Sequence, residues 1–254
     1  VGLYLYCIIP WAQERTFEGA TPLGEANGVV YTLPHGACAA VVSDSPVSQH
    51  ESTRANLLGH TRVQERVMQE FTLLPVRFDT VANGASPATE VQRLLEKRGP
   101  EFRQLLEGLE GKVEMGLKAF WRDEQSIFQA VLADNKEARE LRDALQGKSA
   151  AATHFERIRL GRMIKEALER KRAAEAAALL APLRPLVWQT SESPVAGDRL
   201  VVNAAFLVEK AHGQEFDGAV RRLDEERGER LALKYVGPAP PYNFVNITVH
   251  WEEL

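Results

Sequence analysis

The chain has 254 residues, 26% charged and 44% hydrophobic, enough for one large domain or two ordinary ones with a buried core. A formal net charge of -4 and a pI near 6.0 give no electrostatic reason to expect nucleic acid. No apolar run reaches the roughly 20 residues that span a bilayer, and the two cysteines, Cys7 and Cys38, form no Cys-x-x-Cys or disulfide framework.

The first apolar run, Leu3 to Ile9, predicts a buried strand closed by Pro10, a better reading than a signal peptide because no basic segment precedes it. Trp11 to Asn27 is expected to be loop. Gly28–Leu33 and Ala37–Val42 predict a hairpin turning at Pro34-His35-Gly36. From Ser48 to Phe71 the pattern is helical, with His60, Val63, Val67 and Phe71 on one face. Leu73 to Ala82 reads as a strand, with Pro75 placing it at an edge or bulge. Ser86-Pro87 opens a helix striped by Val91, Leu94 and Leu95, which Gly99-Pro100 is expected to break or kink. Lys112 to Trp121 alternates as a strand, with Val113, Met115, Leu117, Ala119 and Trp121 inward and Glu114 and Lys118 outward.

Two long helices are expected next, one striped by Ile127, Val131, Ala138, Leu141 and Leu145, the other running from His154 to Leu180. A short strand is expected over Leu186–Thr190. Then comes the clearest unit in the chain: a strand over Arg199–Glu209, a helix between Gly213 and Gly228, and a strand from Arg230 that stops at Gly237-Pro238. The fold class is α+β in two domains, 1–122 and 123–254. The first carries an antiparallel sheet covered by helices on one side. The second carries long helices and a small sheet. In the terminal segment Val245, Ile247, Val249 and Trp251 alternate with Asn246, Thr248 and His250, the pattern of a segment that packs on the chain rather than trailing free.

Residue chemistry supplies no catalytic constellation. There is no Gly-x-Ser-x-Gly elbow, Walker loop or Gly-x-Gly-x-x-Gly, and none of the six histidines has metal-ligand spacing, so no cofactor, metal or nucleotide is expected. His60, inside an apolar stripe, reads as a structural, hydrogen-bonded histidine. Arg77, between Val76 and Phe78, reads as a polar anchor needing a partner if buried, or else as an edge-strand arginine facing solvent.

Several blocks together resemble the gas vesicle GvpF/GvpL family: Tyr4-Leu-Tyr-Cys-Ile-Ile9; His60 with Leu73-Leu-Pro-Val-Arg-Phe78 and Thr80-Val81; Val113 to Trp121; Asn203-Ala-Ala-Phe-Leu-Val208; and Gly237-Pro238 with Pro241-Tyr-Asn-Phe-Val245. Asp79 and Cys7 stand where that family usually has glycine. The resemblance implies a modified ferredoxin-like first domain and a non-enzymatic accessory or minor structural protein of gas vesicle assembly. It implies binding to the small hydrophobic shell subunit and to other gas vesicle accessory proteins, with no nucleic acid and no membrane, in the cytoplasm and at the gas vesicle. It further suggests that the Val245–Trp251 tail covers a surface the shell subunit uses. The alternative is a ferredoxin-like ligand-binding or enzymatic domain in which His60 or Arg77 serves a pocket.

Overall fold

The computed structural model describes residues 2–24 and 28–253. Residues 25–27, at the end of the expected Trp11–Asn27 loop, and Leu254 at the end of the tail lie outside them. The chain is α+β and divides into two compact units. One comprises Val1–Glu114, Glu209–Ala211 and Gly237–Leu254, the other Met115–Val208 and His212–Val236. This division differs from the expected one at 122–123. The strand expected to close the first domain spends most of its length in the second unit, and the terminal segment returns to the first.

In the first unit the strands are β1 (Gly2–Ile9), β2 (Val30–His35), β3 (Cys38–Ser45), β4 (Leu74–Pro75) and β5 (Val81–Ala82). They form an antiparallel sheet of order β2-β3-β1-β4, in which β5 also pairs with β1. β2 and β3 make the expected hairpin, turning at Gly36, whose φ of +61° suits a residue without a Cβ. Two helices pack on this sheet, α1 (Arg54–Met68) and α2 (Pro87–Leu109). β1 is buried along all eight residues, so both faces of the sheet are covered at its centre, where cover on one face was expected.

The register of β1 on β3 slips between Leu5 and Cys7. An extra residue there shifts the parity of the strand. As a result Tyr4, Tyr6, Cys7 and Ile9 all join one cluster, with Val63 and Val67 of α1 packed into it. α2 rests against β1, β2 and β3, and none of its buried residues belongs to that cluster among the described residues.

Two local expectations are corrected. α1 begins at Arg54, not Ser48, because Thr53 caps it: its Oγ1 accepts the Asn56 N–H at 3.2 Å. Leu73–Ala82 forms two two-residue strands rather than one. α2 does not break at Gly99-Pro100, one of the two outcomes expected there. The proline withholds one helical donor, but Val91, Leu94 and Leu95 before it and Phe102, Leu106 and Leu109 after it are all buried, and that packing outweighs one missing hydrogen bond.

The second unit holds most of β6 (Lys112–Trp121), then α3 (Glu124–Asp134), α4 (Lys136–Ala144), α5 (His154–Leu180), β7 (Gln189–Glu192), β8 (Leu200–Glu209), α6 (Gly213–Arg227) and most of β9 (Leu231–Ala239). The sheet order is β7-β8-β6-β9, so the expected strand–helix–strand unit β8-α6-β9 straddles β6 rather than pairing with itself. Its core gathers Leu117, Trp121, Phe206, Phe216, Leu223 and Leu231. The short strand starts at Gln189, after a 3-10 turn over Arg184–Leu186. β9 passes Gly237-Pro238 and ends at Ala239; as the last strand in the order it tolerates a proline.

The helix expected through Ile127 and Leu145 is two helices. Asn135 ends α3 with extended dihedrals and starts α4, its Oδ1 accepting the Ala138 N–H at 3.1 Å. Asn135→Ala is predicted to remove that cap and lower stability by about 1 kcal/mol, read as a fall in the urea midpoint. An unchanged midpoint would show that the α3–α4 break is set by packing alone.

Candidate functional site

Chemically distinctive side chains converge in the first unit, where α1 meets the bulged strand β1. Tyr4 and Tyr6 project from β1 to the same side. His60 and Gln64, one helical turn apart on α1, project toward them. Tyr4 Oη lies 2.9 Å from His60 Nδ1 and accepts the Asp79 N–H at 3.0 Å. His60 Nε2 lies 3.2 Å from the Val76 carbonyl. Gln64 Nε2 lies 2.6 Å from the Tyr6 carbonyl, 3.2 Å from the Val76 carbonyl and 2.9 Å from His60 Nε2. Gln64 Oε1 accepts from Tyr242 Oη at 2.7 Å.

Counting hydrogens assigns the tautomer. If Gln64 donated to His60 Nε2, the imidazole proton would sit on Nδ1 and point at Tyr4 Oη. That oxygen already receives the Asp79 N–H, and its own hydrogen would be left without an acceptor in this network. With the proton on Nε2, Tyr4 donates to Nδ1, His60 donates to the Val76 carbonyl, and Gln64 serves the Tyr6 and Val76 carbonyls. Every hydrogen is then used. Val76 O is the shared acceptor, and the close Gln64–His60 nitrogens are two donors converging on it.

Burial lowers the His60 pKa from 6.5 to about 4, and the hydrogen bond to Val76 only partly opposes it. His60 is therefore neutral at neutral pH. Burial also raises the Tyr4 and Tyr6 hydroxyls above their ordinary value, which keeps them protonated as the network needs.

Asp79, at a usual glycine position of the resembled family, sits at φ +65°, the left-handed region that glycine enters freely and aspartate at modest cost. Its Oδ1 accepts the His50 N–H at 2.6 Å, and His50 Nε2 lies 2.9 Å from Ser45 Oγ, which donates to the Val47 carbonyl. The aspartate thus ties down the loop ahead of α1. Cys7, the other departure, follows the β1 bulge and is fully buried, which pushes its thiol pKa up and leaves it unreactive.

The terminal segment lies over this region as a strap. Val245 and Ile247 are buried, Val249 and Trp251 half-buried, and Asn246 and His250 exposed. Ile247 makes one parallel bridge to Val76, with the Arg77 N–H reaching the Ile247 carbonyl at 3.4 Å. Side chains fasten the rest. Arg98, paired with Glu101, donates to the Thr248 carbonyl at 2.8 Å. Asn243 donates to Glu114 through its backbone N–H at 2.8 Å and its Nδ2 at 2.6 Å. Glu114, expected on the outward face of β6, is only 5% exposed. Burial raises its pKa, and the two Asn243 donors pull it partly back.

His60 and the tail residue Ile247 both meet Val76, Val245 is buried as well, and Val249 and Trp251 are half-buried. Of the two alternatives for Arg77, the side chain takes the solvent-facing one: it is exposed, and its backbone carbonyl accepts Thr80 Oγ1 at 2.8 Å. Exposure removes the demand for a buried partner. Gln64, Glu114, Arg98, Tyr242 and Asn243 escaped sequence reasoning. The one available signal was polar Gln64 one turn after His60, on the same helix face.

Elsewhere in the first unit, a surface cavity of about 300 Å³ is lined by Pro10, Cys38, Arg103, Leu106, Glu107 and Glu110, among others. Neither His60 nor Arg77 reaches it. In the second unit Phe155 is 81% exposed and Trp188 67% exposed.

Two predictions follow from this chemistry. Nuclear magnetic resonance titration should find the His60 imidazole neutral down to about pH 4. Its pKa is depressed, so its contribution, about 3 kcal/mol for a shift of this size, is complete above pH 6.5 and is lost as pH falls through about 4. A pKa near 6.5 would contradict the buried neutral assignment. Separately, Asn243→Ala should cost about 2 kcal/mol by removing one of two donors to a buried carboxylate. Glu114→Met in that background should recover part of the loss. Simple additivity of the two substitutions would mean that the pair is not coupled.

Comparison with known proteins matches residues 2–246 to the family model described as gas vesicle synthesis protein GvpL/GvpF. The chain is 29% identical to gas vesicle protein F of Nostoc sp. (strain PCC 7120), with 97% of this chain and 99% of that one covered. It is 30% identical to gas vesicle protein F of Streptomyces sp. (strain CB03234), with 96% and 100% covered. The crystal structure of the gas vesicle protein GvpF from Anabaena sp. PCC7120 superposes with a TM-score of 0.83 at 28% identity, covering 98% of this chain and 99% of that one.

Proposed function

This chain belongs to the GvpL/GvpF family of gas vesicle synthesis proteins, and we propose that within gas vesicle assembly it acts as a non-enzymatic accessory or minor structural protein. In this reading it binds the small hydrophobic shell subunit, helps to start or organise shell growth, and works in the cytoplasm and at the vesicle alongside other gas vesicle proteins. The observation that carries the reading is the match across both units, from residue 2 to 246, with relatives named as gas vesicle proteins over nearly their whole length. A shell subunit prone to self-assembly presents apolar surface, and a partner that holds it reversibly needs apolar anchors ringed by polar groups. Phe155 and Ile158 are exposed among the charges of α5 and meet that requirement.

The alternative, a ligand-binding or enzymatic domain, draws no support from His60 and Arg77. Both nitrogens of His60 are engaged by Tyr4 and Val76, and Arg77 turns to solvent. Among the described residues no helix is long and apolar enough to cross a membrane. Affinity purification from a gas-vesicle-forming host is the test. The shell subunit should co-purify with the wild-type chain. Its consistent absence, or stoichiometric zinc or iron in untagged protein, would overturn the reading.

A further inference from the structure

We propose that the strap is a displaceable occupant of a strand-binding edge in the first unit, and that when it lifts this edge takes an extended, alternately apolar segment of another polypeptide. Identifying that polypeptide as the shell subunit rests on the function proposed above; the edge itself does not.

The edge is incomplete as a sheet border. β4 is two residues long and β5 two residues, and between them the Arg77 N–H faces the strap and reaches the Ile247 carbonyl beside the single Val76–Ile247 bridge. An unpaired edge of this kind is a template for an added strand. It is also held rigid from behind. His60 and Gln64 both donate to the Val76 carbonyl, and the Val76 N–H is used by the Tyr6 carbonyl at 3.1 Å. Val76 therefore keeps its conformation whether or not the strap is seated, which lowers the ordering cost for an incoming strand.

The strap defines the chemistry of the occupant. It is extended, buries Val245 and Ile247, and exposes Asn246 between them. A partner needs that alternation and one parallel backbone pairing. The strap is also weakly laddered for a native segment. Its bridge to Val76 is isolated, and the Arg77 to Ile247 hydrogen bond is at the long end of the range. Besides the buried Val245 and Ile247, its hold comes from hydrogen bonds of Arg98, Tyr242 and Asn243, fastenings that open without disturbing the sheet. Pro240 and Pro241 ahead of it lack donors and cannot extend the β9 ladder into it.

The test uses the full chain and a fluorescent synthetic peptide of residues 242–252 as the probe. In wild type the tethered strap competes at an effective concentration of order millimolar, so the peptide binds weakly. Asn243→Ala in the chain removes one fastening from the tethered strap, while the peptide keeps its own Asn243 to donate to Glu114, and should raise peptide affinity about tenfold. The Val76→Cys/Ile247→Cys chain should close a disulfide between the bridged positions. It should bind no peptide when oxidised and regain binding when reduced. Failure of that pair to crosslink, equal binding by oxidised and reduced forms, or no gain with Asn243→Ala would each overturn the proposal. The shell subunit is then tested on the same locked and unlocked chains. Equal capture by both leaves the assembly function standing and removes this edge as its site. Peptide binding without shell-subunit capture keeps the edge and removes the shell subunit as its partner.

Discussion

The Val76 carbonyl is the point on which the first unit depends. It accepts from His60 and Gln64, two side chains of one helix, and so fixes α1 against the strand segment that follows it. Tyr4 closes the arrangement from β1 by donating to His60 while accepting the Asp79 N–H. Each of these groups lies where water cannot substitute, and leaving one donor or acceptor unmade would cost about 1–3 kcal/mol. The network therefore specifies one docking of α1 on β1, where apolar packing alone would accept several. Protonating His60 would leave Tyr4 Oη facing a new donor on Nδ1, which is why the low imidazole pKa and the geometry support each other.

Two backbone irregularities make the convergence possible. The bulge in β1 keeps Tyr6 on the side of Tyr4 while bringing Cys7 and Ile9 to that side as well, so one strand supplies both the polar tips and the apolar floor. The left-handed Asp79 turns the chain so that its N–H meets Tyr4 while its carboxylate holds His50. Glycine would enter that conformation more easily but would offer no carboxylate. The aspartate exchanges a small conformational cost for a charge-assisted hydrogen bond that orders the loop ahead of α1.

Much of the fold is written in local pattern. β1, the β2–β3 hairpin, α5, β6 and α6 follow from apolar periodicity and from glycine and proline punctuation, because each is stabilised by neighbours in its own segment. The departures share one cause. Gly99-Pro100 is a local stop signal that six buried residues on both sides override. Glu114 obeys the alternation that should carry it outward, yet it is buried because Asn243, far along the chain, supplies its donors. Arg77 sits in an apolar stretch and still reaches solvent, because the strand it was expected to occupy breaks into two. Of the network, only His60 was visible in advance, since a histidine in an apolar stripe demands hydrogen-bond partners without naming them.

The terminal segment shows how alternation and pairing separate. Its period-two pattern correctly implied that Val245 and Ile247 find cover, yet the cover comes with a single bridge rather than a ladder. A fully laddered edge strand opens only by breaking many backbone bonds together, and such strands exchange at nearly the free energy of global unfolding. A segment held by two apolar side chains, one bridge and a few side-chain fastenings opens at a fraction of that. The rigid Val76 platform and the loosely laddered strap are thus complementary. The network spends its hydrogen bonds on the surface that stays, and the segment that covers it is left free enough to move.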